Sequence, residues 1–266
     1  MLVYDSSMTI LILLVSFVHA IPFQLRALNH TDNVRLDSIN APYTDDTKRA
    51  GGFNTTSILS GAKVFNDFAV ILKVGGTWNT PPNQAGASAC FNPLIAGSYL
   101  MPLKHIKMQL FLGLTAPFGS GNTLALTSSN LARSAMDNAM TAVNTYAIMP
   151  GVDLVFTTKS WTFQWETTLI QQTRARGIMD PPVSTHTTSG ISTGYALNEK
   201  FSLQAEILYQ HWLTTKTSDN LSFIAGPRAA LKIDHIILRP AIGYMQSIIT
   251  STGTFKALMI DIPVYF

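Results

Sequence analysis

The sequence predicts an all-β chain, a transmembrane antiparallel up-and-down barrel of about 12 strands, with about 10 as the alternative count. Three observations point that way. Charged residues are only 12% of the 266 residues and mean hydropathy is +0.21, whereas a soluble domain carries about 25% charge. Beyond residue 20 no uninterrupted apolar run approaches the ~20 residues of a membrane-spanning helix, so the hydrophobicity is spread over short alternating segments. The links between those segments also alternate between short and long.

At the N-terminus, "MTILILLVSFVHA" (Met8 to Ala20) has the length of a signal-peptide core, and Val18-x-Ala20 fits a cleavage site. Residues 1–20 are therefore expected to be a signal peptide. Residues 1–7 carry Asp5 and no Lys or Arg, which departs from the usual leader and fits a misplaced start codon or a truncated leader. No cysteine follows the run, against a lipoprotein. Residues 21–54 form a polar N-terminal segment, expected as a first strand, an arm or a plug. "PFQLRALN" (22–29) is the candidate strand, and His30 to Gly52 is too polar to face lipid.

Residues 55–266 are expected to form the barrel. Apolar residues there alternate in segments longer than the ~5–6 residues of soluble strands and close to the ~9–11 that cross an outer membrane. The strands are expected at 57–64, 69–79, 93–102, 107–117, 142–158, 161–173, 189–197, 201–213, 221–233, 236–248 and 255–266. That set is odd in number while single-chain bacterial barrels are even, so one strand is sought upstream; omitting 57–64 gives the lower count. Pro150-Gly151 is expected to mark a bulge or an early turn, and Pro227 and Pro240 to mark bulges.

In "FSLQAEILYQHWL" (201–213), Phe201, Leu203, Ala205, Ile207 and Tyr209 share one face, and Ser202, Gln204, Glu206, Leu208 and Gln210 the other. "WTFQWETTLIQ" (161–171) repeats the pattern. A soluble sandwich would turn the apolar face inward and a membrane barrel turns it to lipid. The links decide for the barrel. Tight ones at Phe65-Asn66-Asp67, Lys159-Ser160, Asn198-Glu199-Lys200 and Asp234-His235 alternate with longer polar ones at 80–92, 118–140, 174–190, 214–220 and 249–254.

Other classes find little support. The net charge of +3 is scattered without a basic cluster, so no nucleic acid is expected as a partner. Cys90 stands alone, read as a small loop residue, and no His or Cys spacing suggests a metal. No glycine-rich nucleotide motif opens a helix, and no cofactor is expected.

In the last strand Leu258, Ile260, Ile262, Val264 and Phe266 share a face, and Ala257, Met259, Asp261 and Pro263 share the other. This ending resembles the C-terminal signal of Gram-negative outer-membrane proteins. The resemblance implies that Tyr265 and Phe266 help recruit the barrel-assembly machinery, and that the chain lies in the outer membrane with lipid as a partner. The stretches "PGVDLVF", "RARG", "AGPRAALKI", "LRPAIGY" and "MIDIPVYF" resemble a proteobacterial family of outer-membrane barrels of uncharacterised role, over roughly residues 140–266. More loosely the chain is similar to the phenol-pathway and fatty-acid channel families.

The expected lumen-facing charges are Lys63, Lys73, Glu166, Glu206, Arg228, Lys232, Arg239 and Asp261. One reading is a mutually neutralising network that fills a narrow barrel; the other is a constriction that selects small-molecule solutes by size and charge. Trp78, Trp161, Tyr209, Tyr244, Tyr265 and Phe266 are expected near strand ends, as interfacial girdles or as stacking platforms for a sugar or aromatic substrate. His211 is the best candidate for a catalytic base, but Ser222 falls on the opposite parity and no nucleophile is paired with it. The leading expectation is a passive channel or uptake pore for small molecules; a non-conducting structural or surface-interaction barrel comes second, and a lipid-modifying enzyme third.

Overall fold

The computed structural model describes Phe23 and residues 31–44, 50–82, 85–103, 106–121, 139–177, 182–214, 219–249 and 256–266. The expected signal peptide and, apart from Phe23, the 22–29 strand lie outside the described residues.

The wall begins with β1 (Asn33–Thr44), β2 (Ala50–Phe65), β3 (Phe68–Thr80), β5 (Leu94–Pro102) and β6 (Ile106–Thr115). It continues through β8 (Thr145–Thr157), β9 (Trp161–Arg174), β10 (Val183–Ala196), β11 (Phe201–Trp212), β12 (Asn220–Ala229), β15 (Ala241–Ile249) and β16 (Lys256–Tyr265). Each pairs antiparallel with the next, and β16 pairs back onto β1 from Asn33↔Tyr265 to Asn40↔Leu258. The result is a closed barrel of 12 strands with no free edge in its wall. Short β4 (Ala87–Cys90) and β7 (Ser120–Gly121) pair with each other above β3, which puts Cys90 in a strand rather than a loop.

Burial settles which face looks inward. Val34, Leu36, Leu59, Leu72, Leu112, Ile191, Leu203, Ile207 and Leu258 are exposed, while Asn54, Thr56, Gln109, Gln164, Glu206 and Asp261 on alternate positions are buried. This is the inverted pattern of a barrel whose solvent is hydrocarbon. Among the described residues no helix is long and apolar enough to cross a membrane.

The strand missing from the sequence reading is β1, drawn from the stretch read as too polar. Its inward face carries the buried Arg35 and Asp37, and its outward face places Ser38 and Asn40 after Val34 and Leu36. Polar residues on both faces erase the alternation. The same cause hides the start of β10, which begins at Val183 rather than 189: Ser184, His186 and Thr188 point in, Thr185, Thr187 and Ser189 out. Threonine's branched Cβ still suits a pleated strand.

Pro150-Gly151 makes neither a bulge nor a turn. The register with β6 runs unbroken through Leu112↔Pro150 and Phe111↔Gly151, and on the β9 side Ile148↔Gln171 and Gly151↔Thr168 share one register. Gly151 is there for space, since a Cβ would lie 2.1 Å from the Phe111 ring. Pro227 also sits without a register shift; the bulge in β12 lies between Leu221 and Ser222. Pro240, with Arg239, instead separates β14 (Ile236–Leu238) from β15. β13 (Leu231–Ile233) pairs with β14 around a tip where Asp234 holds φ 52°, and β14 pairs with the end of β16 through Ile237↔Tyr265 and Leu238↔Val264.

The links sort into two ends. The end that carries the start of β1 and the finish of β16 has tight turns, including Asn66 at φ 55°, a conformation asparagine tolerates. The opposite, loop end carries the longer connections. Outward aromatics gather at both: Phe65, Phe68, Phe156, Trp161, Phe163 and Phe266 near the tight turns, and Phe53, Trp78, Tyr146 and Tyr209 near the loops. Two of the expected girdle residues differ. Tyr244 lies mid-wall, and Tyr265 is buried on the inward face.

Candidate functional site: the lumen wall

Inside the barrel a charged cluster gathers where β16 closes onto β1. Arg35 and Asp37, two apart on β1, share the inward face, and Asp37 lies directly opposite Asp261. Two facing carboxylates repel, and the guanidiniums flanking them offset this. Arg35 Nε donates to Asp37 at 2.9 Å and to Asp261 at 2.8 Å. Arg228 reaches from β12 past the small Ala241 to the other oxygen of Asp261, and donates to Gln204 at 3.2 Å and to the Arg239 carbonyl at 2.7 Å. Asp261 is 0% exposed and Arg228 2%; burial at that depth is tolerable for a charge only when it is paired.

Phe23 completes the cluster. Its N–H donates to the Glu206 carboxylate on β11, its carbonyl accepts from Arg35 on β1, and the Arg228 guanidinium lies 5.3 Å from its ring centroid. Its ring is buried with Ile39, Ile224, Met245 and Met259. Because β11 and β1 are separated along the wall by β12, β15 and β16, the Phe23 backbone forms a chord across part of the lumen. Opposite, a second apolar cluster around Ile58, Phe91, Leu94, Phe111, Met140, Met149 and Ile170 lines the inside toward the loop end.

The sequence-selected residues divide accordingly. Glu206, Arg228 and Asp261 meet in this cluster, and Arg239 joins it through its carbonyl while its side chain lies 5.8 Å from the Tyr265 ring. Glu166 is inward and buried on β9, facing Asp153 across the β8–β9 pair, where Gln164 donates to Asp153 at 3.1 Å. Lys73 takes an inward position on β3, half-buried and away from the cluster. Lys63 is different: it faces outward and pairs with Asp32, because Asn54, Thr56, Ile58 and Ser60 hold the inward parity, the apolar Ile58 turning in while the polar Ser57 lies on the other face. Its long stem near the wall's end lets the ammonium reach the polar boundary, and it holds the Asp32 carboxyl below its usual range. Lys232 lies on β13 at the tight-turn rim, level through Ile237 with the end of β16, and is exposed.

Sequence reasoning passed over Arg35, Asp37, Asp153 and Phe23. The Arg-x-Asp spacing at 35–37 was the available signal, since two residues apart on a strand share a face; Phe23 gave none.

His211 faces outward at the loop end. Its Nδ1 lies 2.9 Å from Asp219, which also accepts from Tyr209, and these bonds lower the Asp219 pKa, that from Tyr209 most. Ser222 points into the lumen, on the other side of the wall.

Together these features define a transmembrane β-barrel of the outer-membrane type. Solved structures of that class superpose on it at low identity. An outer-membrane channel from Pseudomonas putida F1 aligns over 93% of this chain and 99% of its own with a TM-score of 0.61 at 10% identity. The β domain of the Bordetella autotransporter BrkA aligns over 89% and 99%, TM-score 0.50, at 11% identity. A KdgM porin aligns over 87% and 99%, TM-score 0.48, at 11% identity. No family model and no curated protein matches the chain.

Proposed function

We propose that the protein is a passive channel for small solutes in a bacterial outer membrane, with the cluster around Phe23 as its constriction. The same fold serves a channel in one similar protein and an autotransporter in another, so fold leaves the choice to the lumen. The observation that carries the reading is the inward face of β9 to β11, polar for nearly its whole length through Thr162, Gln164, Glu166, Thr168, Gln172, Ser184, Thr188, Ser192, Ser202, Gln204, Glu206 and Gln210. Water and polar solutes are compatible with such a wall from one end to the other.

Mutual pairing of Arg35, Asp37, Asp261 and Arg228 favours the second reading, a lumen that the charges fill and stiffen. Planar bilayers separate the two. A channel gives discrete current steps that grow in Phe23→Ala, which removes the ring from beneath Arg228. Absence of current in both proteins, each folded by heat-modifiable gel migration, eliminates the channel.

A further inference from the structure

We infer that Thr168, Ser184, His186, Thr188 and Trp212 form a binding arc for uncharged polyhydroxylated solutes, small saccharides by class, in the loop-side half of the lumen. It rests on the channel reading and adds a substrate class to it.

The pairing registers place these residues in adjoining rows. Thr168 on β9 faces Thr188 on β10, which faces Gln210 on β11, which faces Asn220 on β12. One row toward the loops come Ile170, His186 and Trp212, and beyond them Gln172 and Ser184. Thr168, His186, Thr188 and Ser184 are 1%, 1%, 2% and 4% exposed. The hydroxyls of Thr168, Thr188 and Ser184, both ring nitrogens of His186, the indole nitrogen of Trp212 and the Asn220 carbonyl have no hydrogen-bond partner. Buried polar side chains are partnered in the large majority of cases. Other exceptions occur at Asn79, Gln109 and Thr115, at Thr193 on the outward face of β10 and at the Gln204 amide nitrogen toward the tight turns, but the inward ones on the loop side of β9 to β12 fall on neighbouring rows.

The chemistry selects the ligand class. The arc holds no carboxylate or guanidinium; Glu166, one row toward the tight turns, bounds it. Hydroxyls both donate and accept, as sugar hydroxyls do, so a neutral polyol can meet every member. A solute hydroxyl arriving here breaks no hydrogen bond that these side-chain atoms have made, and the arc itself offers an anion no guanidinium, Arg35 and Arg228 being bonded to Asp261. The His186 and Trp212 rings, centroids 4.3 Å apart, add an apolar face for the C–H side of a sugar ring. Between Thr188 and Ala196 the inward residues of β10 are Gly190, Ser192 and Gly194, all with small side chains or none.

The test uses the full protein in planar bilayers with maltotriose and, as the charged comparison, sodium gluconate. Maltotriose is expected to reduce the current in a concentration-dependent way and gluconate to leave it nearly unchanged. In Thr168→Val/Thr188→Val the half-blocking concentration rises about tenfold, the effect of losing one or two hydrogen bonds, and in Trp212→Phe it rises less. Equal block by gluconate, or a half-blocking concentration that the double variant does not shift, overturns the arc. A protein without current whose tryptophan fluorescence still titrates with maltotriose, and loses that response in the double variant, retains the arc while the channel reading fails. No current and no titration removes both.

Discussion

Two regions of the lumen wall are equally buried and opposite in chemistry. At the closure seam, Arg35, Asp37, Asp261 and Arg228 are charged and bonded to one another. On β9 to β12, Thr168, Ser184, His186 and Thr188 lack full charges on oxygen or guanidinium and leave their polar atoms unpartnered. The contrast follows from the cost of burial. An isolated buried charge costs several kcal/mol, so the seam exists only as a complete network. An unpartnered hydroxyl costs about 1–3 kcal/mol, which a barrel can carry where a passing solute or water takes up the bond. On the proposed reading the seam holds the closure and narrows the lumen, and the arc is where a solute takes up the open bonds.

The sharpest way to break this contrast is Asp261→Ala. It leaves the buried Arg228 without a carboxylate and Arg35 with Asp37, and a loss of about 3–5 kcal/mol is expected, read from the urea midpoint of the heat-modifiable band. A midpoint at the wild-type value would show that the seam does not hold the closure. Far smaller is the expected stability change in Thr168→Val/Thr188→Val, within about 1 kcal/mol, because unpartnered hydroxyls give way to methyls of the same shape. A loss comparable to that of Asp261→Ala would mean that the arc is structural after all.

The smallest effect belongs to Asp219 at the loop end, exposed and outside both regions. Its carboxyl is lowered by the hydrogen bonds from Tyr209 and His211, so its contribution is complete above the unfolded value of about 3.9 and is lost as pH falls through the lower folded value. Unfolding midpoints taken on acidification below about pH 4 should decline slightly more in the wild type than in Asp219→Asn. Identical slopes would leave the contact without energetic weight.

Much of the fold was legible because lipid enforces alternation. The strands of "WTFQWETTLIQ" and "FSLQAEILYQ" were readable in place and parity, since Trp161, Phe163, Trp165, Phe201, Leu203 and Ile207 all meet hydrocarbon. β1 and the start of β10 were not, because their outward faces carry Ser38, Asn40, Thr185 and Thr187 and the period-2 contrast vanishes. Parity also assigned Glu206, Arg228 and Asp261 to one side of the wall, but it failed at Lys63, because in β2 the apolar Ile58 faces in and the polar Ser57 out. Phe23 carried no local signal.

The sequence by itself determined that this chain spans a membrane with strands, which positions face lipid along most of them, and that the terminal strand ends on apolar residues. Those properties are local, fixed by side-chain period and by the solvent each face must meet. Tertiary structure decided the rest. That Asp37 faces Asp261, that Arg228 crosses Ala241 to join them, that Phe23 lies between Glu206 and Arg35, and that Thr168, Thr188 and Gln210 share a row are consequences of closure and register. These bring together residues as far apart as 35 and 261, and no spacing within one strand encodes them.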